Sequence, residues 1–264
     1  MKKVVVITGA SKGIGYAAAK LFSDNGYTVY ALSRSACNLD KVNHISCDVT
    51  ESEIFKKTIK EIFEAEKQID VLVNNAGMGI SGSVEKTDST DAKRLFELNF
   101  FSMFEAIKYT VPYMRNQGGG KIINIGSVAG SMHVPFQAFY SASKAAVEAL
   151  SNCLRGELEP FNIRVATILP GDTATSFTDT REKKYEKDDP DYGLRISGSI
   201  ASMEKDERKG MPPEKTAKVI FKAASRKNPK PLYAVGLSYK FFLLLNKILP
   251  KRFVQFVLNR MYAG

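Results

Sequence analysis

Short apolar runs alternate with amphipathic stretches along most of this chain. Val4–Thr8, Thr28–Ser33, His44–Cys47, Val71–Asn74, Lys121–Gly126, Val165–Leu169 and Leu232–Val235 are short, rich in β-branched residues and flanked by turn formers, which predicts strands. Residues 13–25, 51–66, 89–115, 140–159 and 213–224 carry helical patterns instead. The alternation predicts an α/β, doubly wound architecture: a mainly parallel sheet of about seven strands with helices on both faces. Right-handed crossovers then bring the strand C-termini to one edge, where ligands bind.

Two segments break the rhythm. Residues 173–211 are polar, charged and glycine-containing without a clean strand, which predicts a long irregular lid or binding loop. Residues 238–262 are dense in Phe and Leu, with Lys240, Lys247, Lys251, Arg252 and Arg260 interspersed. Pro250 should break or kink any helix there. Two readings of this C-terminal segment stay open. It is a basic amphipathic surface lying on an anionic membrane, or a helix packed over the cleft or against another subunit. The chain, 1–264, reads as a single domain carrying this lid and this segment.

Composition narrows the function. Apolar content of 44% and charged content of 25% are globular values. The net charge of +10 raises nucleic-acid binding, but the basic residues are scattered and alternate with acids, as between Arg181 and Asp191, so no nucleic-acid partner is expected. Cys37, Cys47 and Cys153 form neither a paired framework nor a metal-ligand spacing, and His44 and His133 are too few for a zinc site. No metal is expected, and the thiols read as reduced, in the cytoplasm. The opening M-K-K-V-V-V-I-T-G is too short for a signal peptide and feeds into a glycine loop, so it reads as the first strand. No stretch approaches a membrane-spanning length without charges.

That loop, Thr8-Gly9-Ala10-Ser11-Lys12-Gly13-Ile14-Gly15, joins a strand to a helix. Its glycines let the backbone turn tightly against a pyrophosphate at the helix N-terminus. At the end of the second strand, where an acid would bind a ribose 2′-hydroxyl, stand Ser33 and Arg34. A permanent cation there, with Lys12 in the loop, suits a 2′-phosphate and favours NADP(H) over NAD(H). Further on, Tyr140 and Lys144 are four apart and share one helix face. A nearby ammonium lowers a phenol's pKa toward the working range, and Ser127, from another strand, could hold a substrate oxygen against that phenol.

In their order, T-G-A-S-K-G-I-G at 8–15, Asp48-Val49, Asn74-Asn75-Ala76-Gly77, Asn99, Ser127, Tyr140-Ser-Ala-Ser-Lys144 and Pro170-Gly171 resemble the short-chain dehydrogenase/reductases, which have a Rossmann fold. The resemblance runs from Val4 to at least Val235. It implies a catalytic core of Asn99, Ser127, Tyr140 and Lys144. Asp48 and Val49 would meet the adenine, Asn75, Ala76 and Gly77 the cofactor ribose, and Pro170 and Gly171 the nicotinamide. Thr175 or its rival Thr173 would reach the carboxamide. Asn99 would hold, through its backbone, a water that restores the proton Tyr140 gives to the carbonyl oxygen. The family also implies a homodimer or homotetramer paired through the long helices.

For the substrate, Met78, Val128, Met132, His133, Val134, Phe136 and Phe139 are expected around the strand ends. The lid would add Phe177, Tyr185, Tyr192, Leu194 and Ile196. Ser127, Met78, His133, Phe136 and Tyr140 are the substrate-side candidates. So apolar a lining suits a lipid-like or alicyclic ketone. The N-N-A-G-M-G-I-S-G stretch, P-L-Y-A-V-G and the tail are similar to the hydroxysteroid and retinol dehydrogenase-like branch, which implies steroid, retinoid or fatty ketones. The competing class is a regulator or scaffold that binds NADP(H) without turnover; the intact Ser127, Tyr140 and Lys144 argue against it.

Overall fold

A computed structural model describes residues 2–184 and 189–262. Tyr185, expected in the lid, lies outside the described residues. The chain begins β1 (Val4–Thr8), α1 (Gly13–Asp24), β2 (Thr28–Ser33), β3 (Val42–Ser46), α2 (Ser52–Glu66), β4 (Val71–Asn74) and the two-residue β5 (Ile80–Ser81). It continues α3 (Ser89–Phe96), α4 (Ser102–Asn116), β6 (Gly120–Ile125), α5 (Ala138–Leu158), β7 (Ile163–Leu169), α6 (Phe177–Thr180) and β8 (Glu182–Lys183). It ends α7 (Gly193–Arg208), α8 (Pro213–Ser225), β9 (Leu232–Ala234), α9 (Leu237–Ile248) and α10 (Lys251–Tyr262).

Seven strands form one parallel sheet in the order β3-β2-β1-β4-β6-β7-β9. β1 and β4 are buried at every position, as strands covered on both faces must be. On one face Val5, Ile7 and Val29 pack with Phe22 of α1 and Ile220 of α8. On the other, Val4, Val6 and Leu72 pack with Phe55 and Ile59 of α2, Ile107 of α4 and Val147 of α5. The strand order reverses between β1 and β4, the place where such sheets open a ligand crevice at the strand C-termini.

Three expectations shift. The third strand spans Val42–Ser46 rather than beginning at His44. The helix expected over 89–115 is interrupted by a π turn, Glu97–Phe101, between α3 and α4. The lid, expected to be irregular, carries the 16-residue helix α7. Its buried stripe, Ile196, Ile200 and Met203, is narrow enough to be lost among charged neighbours when read as composition. The break at Pro250 is present, separating α9 from α10.

Candidate active site

The glycine loop is shaped by contacts that exclude side chains. Gly9 and Gly13 have φ of +65° and +58°, which only glycine adopts without strain. A Cβ at Gly15 would lie 2.4 Å from the Gly9 carbonyl oxygen and 2.5 Å from Asn75 Nδ2, so α1 starts hard against the loop. Asn75 locks that junction: its Nδ2 donates to the carbonyls of Thr8 and Gly9, both at 3.0 Å. The Thr8 hydroxyl in turn accepts from the backbone N–H of Asn75 and Ala76, at 3.0 and 3.1 Å. Beneath, Asn74 Nδ2 donates to Asn124 Oδ1 at 2.8 Å and Asn124 Nδ2 to Ser151 Oγ at 2.9 Å, tying β4, β6 and α5 together in the core.

At the end of β2, the Arg34 side chain is 76% exposed and lies 3.7 Å from Asp48. Ser33 Oγ donates to the Ser35 carbonyl at 2.8 Å. Asp48 accepts from the N–H and hydroxyl of Thr50, at 3.0 and 2.7 Å. Burial works against its charge, but the Thr50 bonds and Arg34 win, and its carboxyl sits below the ordinary range.

Tyr140 and Lys144 enter from the first turns of α5, and Ser127 from the loop after β6. Lys144 Nζ lies 5.9 Å from the Tyr140 ring centroid and donates to the Ile125 carbonyl at 2.9 Å. It is buried, which pushes its pKa down to about 8. The phenol departs from the sequence expectation. Burial raises its pKa, and the opposing influences are a hydrogen bond with Ser127 and the charge of Arg181. Phe177 of α6 packs on the tyrosine ring, centroids 5.7 Å apart.

Asn99 is buried within the π turn, and its side chain is fully engaged. Oδ1 accepts from Met78 N–H at 2.8 Å, and Nδ2 donates to the Met78 carbonyl at 2.9 Å and to Ser143 Oγ at 3.1 Å. Gly77 lies between this amide and the ammonium: a Cβ there would sit 3.1 Å from Asn99 Oδ1 and 3.6 Å from Lys144 Nζ.

One cavity of about 950 Å³ joins these parts. Its wall includes Gly9, Ser11, Lys12, Gly13 and Ile14 of the loop, Ser33, Arg34, Asp48 and Val49 at its rim, and Asn75, Ala76 and Gly77 after β4. Ser127, Tyr140, Lys144, Pro170, Gly171, Thr173 and Thr175 complete the polar half. Gly15 and Asn99 stand behind the wall. A pyrophosphate-bearing dinucleotide fits this cradle: the loop tolerates no Cβ at Gly9, where one would lie 2.9 Å from Ala76 Cα, and Thr175 closes over Gly13.

Three substrate-side candidates fall outside the lining. His133 is exposed, with Nδ1 3.3 Å from the Ala129 carbonyl oxygen. Phe136 takes φ +60°, which turns its ring onto Tyr192 and the Ile196 cluster. Met78 turns toward Arg94, its Sδ 3.8 Å from Nη1. Leu194, expected in the lid's lining, is 88% exposed. Val128, Met132 and Val134, expected around the strand ends, do line the cavity, joined by Gln137 and Met203.

The largest apolar contribution comes from residues 238–262, for which packing over the cleft is one of the two readings the sequence leaves open. α9, α10 and the turn between them present Phe242, Leu245, Leu249, Val254, Leu258 and Tyr262 to the cavity, so the C-terminal segment covers the cleft. Tyr239 anchors it: its hydroxyl donates to Asp172 Oδ2 and accepts from the Asp172 N–H. Asp172, Asp206 and Glu207 gather on that side. Burial pushes the Asp172 carboxyl up; the Tyr239 hydroxyl opposes this, while the charges of Glu207 and Asp206 add to it. The lid is held by the buried Arg181–Glu207 pair and by Arg94, which grips Glu182 at 2.7 and 2.8 Å. Glu182 N–H also bonds the Gly79 carbonyl at 3.0 Å, coupling lid and β4 loop.

Residues 3–186 match the short chain dehydrogenase family. A 3-ketodihydrosphingosine reductase of Bacteroides thetaiotaomicron is 39% identical over 99% of this chain and 98% of its own length. A short-chain dehydrogenase of Streptomyces avermitilis superposes with a TM-score of 0.83 at 30% identity, covering 94% of each chain. ElxO, solved with NADP bound, superposes with a TM-score of 0.76 at 27% identity over 91% of this chain and 100% of its own. The chain belongs to the short-chain dehydrogenase/reductase family and is an oxidoreductase of carbonyl and alcohol groups.

Proposed function

We propose that the protein is an NADPH-dependent reductase of a long-chain ketone of the 3-ketodihydrosphingosine type. The observation that carries this reading is the continuity of the cavity. It runs from the glycine loop, past Ser127, Tyr140 and Lys144, to the apolar wall of α9 and α10. The polar half suits a dinucleotide and the apolar half an alkyl chain. The Bacteroides relative, similar over nearly its whole length, is named for such a substrate. Ketodihydrosphingosine carries an amine beside its ketone, and Asp172 and Asp206 offer an ammonium opposite charge on the cavity wall.

Arg34 and Lys12 hold the 2′-phosphate at the rim, and Asp48 the adenine edge. When bound, the nicotinamide supplies the hydride. Ser127 and Tyr140 grip the carbonyl oxygen, and Tyr140 gives it a proton as the bond order falls. Lys144, protonated, binds ribose hydroxyls and stabilises the phenolate that remains. Asn99 acts by position: its side chain fixes Met78, while the π turn around it departs from regular helical bonding, leaving its backbone to hold a water that returns the proton. We place the protein in the cytoplasm, as free Cys37, Cys47 and Cys153 suit a reducing compartment. Subunit pairing falls on α4 and α5, near the exposed Phe101 and Phe104.

NADPH consumption against ketodihydrosphingosine, a 3-ketosteroid, retinaldehyde and a small diketone tests the reading. The long-chain ketone should give the highest kcat/KM. Preference for any of the others overturns the substrate class, and no turnover of any favours the silent, cofactor-binding alternative.

A further inference from the structure

α9 has two apolar faces where a helix capping a cleft needs one. Tyr239, Phe242, Leu245 and Leu249, just beyond its end, line the cavity. The other face carries Leu237, Phe241, Leu244 and Ile248, spaced four, three and four, with exposures of 83, 57, 53 and 69%. On α10, Leu258 is buried, while Phe256 points away from the cavity, 66% exposed. A contiguous apolar surface of this kind marks an interaction site.

The charges identify the occupant. From Leu237 to Gly264 the chain has no Asp or Glu, and Lys240, Lys247, Lys251, Arg252 and Arg260 supply five cations. On the helical wheel Lys240 and Lys247, seven apart, flank the outward apolar stripe on one side, where their stems can reach past it to a charged plane. Aromatic and aliphatic residues rimmed by lysine and arginine suit the headgroup boundary of an anionic bilayer. A second protein copy would bring the same five cations against themselves. Among the described residues no helix is long and apolar enough to cross a membrane, so the geometry is that of a segment lying on the surface.

We propose that α9 and α10 dock the protein on an anionic lipid surface, with the cavity wall on their other side. An alkyl chain leaving the bilayer would then meet the cleft across the thickness of one helix. This entry role rests on the long-chain ketone reading; the docking does not.

The experiment is co-sedimentation of the full chain with phosphatidylcholine vesicles, with and without about a third phosphatidylglycerol, at low and high salt. Wild type should pellet with the anionic vesicles at low salt, be released by high salt, and stay in solution with phosphatidylcholine alone. The triple variant Phe241→Ser, Ile248→Ser, Phe256→Ser should lose about tenfold or more in partitioning. None of the three lines the cavity, so turnover of a short soluble ketone should be unchanged; that measurement separates failure of docking from failure of the enzymatic reading. The chain has no tryptophan, so Phe256→Trp adds a single fluorophore whose emission should shift to the blue on anionic vesicles. Equal soluble fractions with and without anionic vesicles, or a triple variant that pellets like wild type, would overturn the proposal. So would an unbound wild type whose dimer becomes monomeric in the triple variant, since a second copy would then cover this face.

Discussion

The ring of Tyr239 occupies the space that a side chain at Gly171 would need. A Cβ built on Gly171 would lie 2.2 Å from Tyr239 Cε2. The turn after β7 and the helix that roofs the cavity are therefore matched surfaces, pinned further by the Tyr239 bonds to Asp172. Gly171→Ala should cost about 2 kcal/mol of stability, the usual penalty of overpacking. Urea unfolding checks it. Adding Tyr239→Ala should recover part of the loss if the clash is the cause; a double variant weaker than the sum of the singles would refute the matching.

Lys144 makes stability depend on pH in a defined window. Its pKa is lowered from an ordinary 10.5 to about 8 by burial. Between those values the unfolded chain holds more protons, so stability rises with pH there; below about pH 8 the penalty for burying the charge is fully present. The penalty is about 3 kcal/mol at low pH and falls by about 2 kcal/mol between roughly pH 7.5 and 9.5. Lys144→Met should remove that rise, measured as the difference in unfolding free energy between variant and wild type without cofactor. Parallel pH profiles for the two would mean that the ammonium is solvated.

Arg34 should discriminate between the nucleotides. Arg34→Ala is expected to raise the KM for NADPH about tenfold to a hundredfold, with little change for NADH, because a phosphate loses a charge-assisted partner and a hydroxyl does not. Equal losses would place the guanidinium elsewhere.

Asp172 should discriminate between ketones. Asp172→Asn is expected to raise KM for an amino ketone about tenfold and to leave a neutral long-chain ketone nearly unchanged. An equal effect on both would assign Asp172 to holding Tyr239 alone.

Much of this was legible in the sequence because its signals are local. Residues 4–7 and 71–73 are unbroken apolar runs, as strands covered on both faces must be, and the glycine loop is readable where φ is positive. Tyr140 and Lys144 sit one turn apart, so helix geometry brings them to the same side. What escaped depends on long-range packing. α7 is held by a cluster of three buried apolar side chains in a charged segment, and the sequence leaves open whether residues 238–262 cover the cleft, because the site they wall is built about a hundred residues earlier, around Tyr140. Phe136 stands four residues before that tyrosine, but its left-handed backbone sends its ring to the lid. The phenol's raised pKa also follows from burial, which spacing does not report.

The most direct measurement is NADPH oxidation by wild type and Tyr140→Phe with ketodihydrosphingosine, alongside NADPH binding by both. The account predicts turnover by wild type, a loss of about a hundredfold or more in kcat for the variant, and nucleotide affinity within about threefold of wild type. Turnover by Tyr140→Phe close to that of wild type would contradict it.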